Sequence, residues 1–83
     1  MDTAVIEFRN ENSGFREELE IPLSISANDL IYALNSAYGL HIGDGNGKGR
    51  YLCAENPIAF LRGNKKLSDY GLHNGSVVVY MRR

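Results

Sequence analysis

The sequence predicts an α+β fold: one mixed sheet with a single helix packed across one face. Three observations point to it. Side chains alternate between two faces through Thr3–Arg9 and again through Phe15–Leu23, which is the period of a half-buried strand. Between residues 27 and 38 the period becomes helical, with start and stop signals on either side. After that, short β-branched or apolar runs return, separated by Gly-, Asn- and Pro-rich turns, all within 83 residues, enough for one domain and one core.

The elements follow in order. In Thr3–Arg9, Ala4, Ile6 and Phe8 share one parity, and Val5, Glu7 and Arg9 the other. Asn10-Glu11-Asn12-Ser13-Gly14 is a polar hairpin turn. Phe15–Leu23 alternates again, with Leu19, Ile21 and Leu23 inward and Arg16, Glu18 and Glu20 outward. Pro22 lacks an N–H, which places this strand at an edge or near its end. Ser26 is the expected N-cap of a helix over Ala27–Tyr38, answered by Asp29 three positions later as in a capping box. Ile25 and Leu30 form the expected hydrophobic staple. The apolar stripe is read as Leu30, Ala33, Leu34, Ala37 and Tyr38, widened by Ile31. Gly39 supplies a left-handed stop, and Leu40 folds back toward Leu34. The glycine-rich stretch 43–49 is expected to be a connector, followed by strands over Arg50–Ala54 and Ile58–Leu61. Leu67–Leu72 reads as a short helical turn or tight loop, and Ser76–Met81 as a final β-branched strand.

Strand, strand, helix, then three strands is satisfied by a β-grasp. The first two strands form a hairpin, and the helix supplies the crossover that a parallel neighbour requires. The run Lys66-Leu67-Ser68-Asp69-Tyr70-Gly71-Leu72, then Asn74-Gly75 and a terminal strand, resembles the end of ubiquitin. The chain also resembles, in its length and in Lys66-Leu67-Ser68-Asp69, Gly71 and Asn74-Gly75, the YukD-like proteins, small bacterial ubiquitin-like proteins associated with type VII secretion. The resemblance implies a cytoplasmic adaptor for protein partners, including membrane-bound secretion components. It implies core roles for Leu67 and Leu72, and hydrogen bonds from Asp69 and Tyr70 that tie down their loop. Apart from the resemblance, a monomer or weak homodimer is expected, and a further reading is a purely structural module that dimerises through an apolar sheet face.

Ubiquitin-like modifiers and sulfur carriers end in Gly-Gly, because their terminal carboxylate is activated in a channel that admits no side chains. This sequence ends Tyr80-Met81-Arg82-Arg83, so a non-conjugated role is expected. The alternative is a covalent modifier or sulfur carrier whose Gly-Gly tail is absent here.

Composition narrows the function classes. A net charge of −1 argues against a general nucleic-acid binder, which needs clustered Lys and Arg. No apolar stretch approaches the length of a membrane span, so no direct insertion is expected. The single cysteine, Cys53, allows no intrachain disulfide, and Met1-Asp2-Thr3-Ala4 does not open like a signal peptide, which fits a reducing cytoplasmic setting. No cofactor, metal or catalytic residue is expected. Asp44, Asn46, Gly49 and Glu55 have calcium-loop spacing, but Lys48 stands where an oxygen ligand belongs. A phosphate-binding glycine loop would need a strand before it and a helix after it, the reverse of the order here. Cys53 with His41 or His73, and Ser68 with Asp69 and His73, are weak nucleophilic sets, and a lone strand cysteine usually packs as a small hydrophobe.

The informative feature is the sheet face turned away from the helix. With Ile6, Phe8, Leu52, Val78 and Tyr80 inward, the other parity collects Val5, Tyr51, Cys53, Val77, Val79 and Met81. A strand facing water on one side should alternate, and Val77–Met81 does not. These six residues are the expected protein-interaction face. By resemblance to ubiquitin, which binds partners through this face, Cys53, Val79 and Met81 stand where its patch residues stand. The competing reading is that the stems of Arg9, Arg50 and Arg82 cover the patch. Val79→Asp and Met81→Asp are expected to abolish binding without unfolding the domain.

Overall fold

A computed structural model of the chain describes residues 2–43 and 51–81. The elements are β1 (Thr3–Asn10), β2 (Phe15–Pro22), α1 (Ala27–Tyr38), β3 (Leu52–Glu55), β4 (Ala59–Leu61), a 3-10 turn (Leu67–Tyr70) and β5 (Val77–Tyr80). The sheet order is β2-β1-β5-β3-β4; β1 and β5 are parallel and the other neighbours antiparallel. This is the α+β architecture expected from the sequence, with α1 across one face. The glycine-rich stretch from Asp44 on, Arg50, Arg82 and Arg83 lie outside the described residues, as do all the calcium-loop candidates except Glu55, which ends a strand.

The helix starts where its caps dictate. The Asp29 N–H donates to the Ser26 hydroxyl at 3.1 Å, and the Ser26 N–H donates to the Asp29 carboxylate at 3.2 Å. At the other end Gly39 adopts φ +65°, and its N–H and that of Leu40 both return to the Asn35 carbonyl. Ser26→Ala leaves one helix-terminal N–H without its side-chain acceptor and is expected to cost about 1 kcal/mol, measured by urea unfolding.

The buried stripe differs from the expected one. Ala27, Leu30, Ile31 and Leu34 are buried, with Tyr38 partly so, while Ala33 and Ala37 face solvent. The branched side chains carry most of the transferable apolar area, so they orient the helix, and the two alanines follow passively. Strand limits shift for a similar reason. β3 begins at Leu52 and β4 at Ala59, because Asn56 to Ile58 form the turn between them.

The core unites Ile6, Phe8, Ile31, Leu52, Leu61, Leu67, Leu72 and Val78 with a residue the periodicity did not flag, Ile42. Asn35 explains its burial. Its side-chain oxygen accepts the Ile42 N–H at 2.9 Å, and its amide nitrogen donates to the Ile42 carbonyl at 3.2 Å. Both main-chain polar groups are thereby satisfied and the residue can go inside.

The parallel β1–β5 ladder is closed at one end by the Asn74-Gly75 pair. The Val5 N–H donates to the Asn74 side chain at 2.8 Å, and the Gly75 N–H donates to the Val5 carbonyl at 2.9 Å. Ser76 is fully buried beside them. Its hydroxyl donates to the Asn56 carbonyl and accepts the His73 N–H. Leu67 and Leu72 are buried, as the resemblance implied. Tyr70 ties its loop to β4: its hydroxyl donates to the Arg62 carbonyl at 2.7 Å and accepts the Arg62 N–H at 3.2 Å. Asp69 contributes through its backbone, donating its N–H to the Lys66 carbonyl. The β2 edge of the sheet is guarded by exposed Glu17, Glu18 and Glu20 and by Pro22.

On the helix side, Tyr38 stacks on Phe8 with centroids 5.6 Å apart, meets Phe15 at 5.3 Å, and donates its hydroxyl to Glu17 at 2.6 Å. The bond to the carboxylate, with partial burial, pushes the phenol pKa up to about 12. The folded state therefore holds this proton more tightly than the unfolded chain, whose tyrosines titrate near ~10. The stabilisation is complete below that pH and is lost as pH rises toward 12. Tyrosinate absorbance, taken as a difference against Tyr38→Phe, should show one late-titrating phenol, and Glu17→Gln should move it back toward ~10.

Candidate interaction face

Register decides what the outer face presents. From β2 and β1 come the opposed pairs Arg16–Arg9, Glu18–Glu7 and Glu20–Val5. β5 then brings Val77 beside Glu7 and Val79 beside Arg9. Beyond it, Cys53 pairs with Val79 on one side and with Phe60 on the other. Continuing the antiparallel register sets Tyr51 opposite Met81. The face thus has a charged half over β2 and β1 and an apolar half over β3 and β4, with β5 as the seam.

The six residues expected from the sequence do not form one patch. Tyr51, Cys53, Val79 and Met81 lie together on the apolar half. Val5 is 42% exposed but sits opposite Glu20, and half-buried Val77 lies between Glu7 and Glu55. Met81 is 51% exposed, whereas Val79 is only 7% exposed. An aspartate at Val79 would therefore burden the fold as well as any partner contact, so it is not a clean probe.

Arg9 accounts for part of that cover. Its guanidinium donates to Glu7 at 3.0–3.1 Å and lies 3.8 Å from Glu55, so it spans the outward side of β5 from β1 to β3. The bond to Glu7 holds the Arg9 pKa above its ordinary value, against an opposing effect of desolvation. The expectation that arginine stems shade the patch thus describes Arg9; Arg50 and Arg82 lie outside the described residues.

Two residues that the parity argument left unassigned dominate the apolar half. Ile58 is 90% exposed and Phe60 66% exposed. With Cys53, Ala54, Glu55 and Ala59 they line an open groove of about 400 Å³, and Tyr51 packs edge-on against Phe60 at 5.5 Å. The signal was present in the hairpin. Leu61 pairs with Leu52 in the core, which forces Phe60 to the opposite side with Cys53.

The weak nucleophilic sets do not assemble. Cys53 lies on the outer face, while the His73 ring engages the Asn74 carbonyl at 2.8 Å. Ser68 and Asp69 are exposed, and among the described residues neither side chain bonds to His73. Among the described residues no cluster of His, Cys, Asp or Glu could hold a metal ion, and no helix is long and apolar enough to cross a membrane.

No family model and no curated protein matches the chain. Solved structures do. The C-terminal ubiquitin-like domain of mouse tubulin-specific chaperone e superposes with a TM-score of 0.75 at 13% identity, covering 99% of this chain and 88% of that one. This is a ubiquitin-like β-grasp fold. The ubiquitin-like domain of tubulin-binding cofactor B gives 0.71 at 18% identity, covering 96% of this chain and 89% of its own. That of yeast Ddi1 gives 0.70 at 16%, covering 95% and 87%. At these identities the likeness is one of fold.

Proposed function

We propose that the chain is a non-conjugated ubiquitin-like adaptor, a binding module and not an enzyme, that holds protein partners on the β3–β4 half of its outer face. The observation that carries this reading is the exposure of Ile58 and Phe60 beside Tyr51, Cys53 and Met81. Large apolar side chains clustered on an open sheet and rimmed by charge are the usual mark of a partner surface. The resemblance of Lys66-Leu67-Ser68-Asp69, Gly71 and Asn74-Gly75 to the YukD-like proteins supports the finer reading: a cytoplasmic accessory or regulatory component of a bacterial type VII secretion system, whose partners include membrane-bound components.

A tagged chain recovered from its host under native and under fully denaturing conditions tests the reading. Partners held only under native conditions, secretion components among them, are the expected result. Adducts that survive denaturation would instead identify a covalent modifier.

A further inference from the structure

The apolar half of the outer face carries a charge pattern that complements itself. Glu55 ends β3, and Arg62 directly follows β4. The two strands are antiparallel, so these residues stand at opposite ends of the patch, with Cys53 and Phe60 paired between them. Alternation places Glu55 on the side of Cys53 and Arg62 on the side of Phe60, which is the outer side for both. Arg62, Glu55, Ile58 and Phe60 are all exposed, and the only ion-pair partner of Glu55 among the described residues is Arg9, at a loose 3.8 Å.

We infer that this surface takes a second copy of the chain in a two-fold, face-to-face dimer. A two-fold axis parallel to the sheet, above its outer face and perpendicular to the strands, exchanges the two ends of the patch. Glu55 of each copy then meets Arg62 of the other, twice over, around a shared apolar centre. The groove beside Ile58 and Phe60 gives the facing Phe60 ring a seat. The opposite half of the face cannot do this. It has no apolar centre: Arg16 and Arg9 stand at one end and Glu20 at the other, but the middle is the Glu18–Glu7 pair, and copies turned toward one another on that side would set those like charges at the axis. The dimer occupies the half of the face on which the proposed function rests, so copy and partner compete, and the dimer keeps the apolar patch covered until a partner displaces it.

Light scattering on the purified chain alone, over a concentration series, tests this apart from any partner. The wild-type chain should double in mass as concentration rises, while Phe60→Asp keeps the mass of one chain. Glu55→Arg and Arg62→Glu should each raise the concentration needed for dimerisation by roughly tenfold. An equimolar mixture of those two variants should recover wild-type dimerisation, since each then offers the other its opposite charge. That recovery also shows that both variants are folded, and circular dichroism checks the same point for Phe60→Asp. A wild-type chain that keeps the mass of one chain at every concentration, or a mixture that dimerises no better than its components, overturns the inference.

Discussion

Phe8→Ala is expected to destabilise the domain by about 3–5 kcal/mol, enough to leave a large part of the population unfolded at moderate temperature. Phe8 is fully buried on β1, where it pairs with Glu17 of β2 on one side and Val78 of β5 on the other. Its ring stacks on Tyr38, which in turn meets Phe15 and donates its hydroxyl to Glu17. Truncation leaves a cavity between sheet and helix and removes the platform on which that cluster rests. The cost should exceed that of Ser26→Ala severalfold, because a cap variant leaves the core intact. Urea unfolding followed by circular dichroism measures both, and a Phe8→Ala midpoint close to that of Ser26→Ala would refute the placement of Phe8.

Phe60→Asp should do the opposite: abolish partner capture while leaving the unfolding midpoint nearly unchanged. The side chain is already 66% exposed, so a carboxylate there stays in water and the free domain loses little beyond the edge contact with Tyr51. In a complex the same carboxylate would be buried in an apolar contact without an assigned partner, which typically costs several kcal/mol and reduces affinity by orders of magnitude. Ile58→Asp should behave alike for the same reason. Equilibrium binding of a recovered partner to each variant, with thermal unfolding in parallel, separates loss of the surface from loss of the fold.

The fold was legible where local chemistry and global architecture agree. Ser26, Asp29 and Gly39 mark the helix limits, and the structure keeps them. Alternation in Thr3–Arg9 names the buried face of β1 without error. Ile42 was not legible, because its burial depends on the Asn35 side chain standing in for a strand neighbour, a contact that no periodicity encodes. The face of Val5, Tyr51, Cys53, Val77, Val79 and Met81 was legible only as a parity class. Parity tells which side a residue takes but not its lateral neighbours, so it grouped with the apolar half Val5, which lies across the seam, and Val77, which sits on the seam between Glu7 and Glu55. It also could not show that Arg9 reaches over β5 to Glu55. Ile58 and Phe60 escaped because β4 has only three residues, too few for alternation to reveal its face before its pairing with β3 is known.

The central claim, that binding resides on the β3–β4 half of the outer face, is tested most directly by a paired capture experiment. The wild-type chain, Phe60→Asp and Glu18→Lys are each used as bait under native conditions, and the recovered partner is quantified. The account predicts that Phe60→Asp loses the partner while Glu18→Lys, altered on the charged half, retains most of it. Undiminished capture by Phe60→Asp, with loss in Glu18→Lys, would place the binding surface over β2 and β1 and contradict the account.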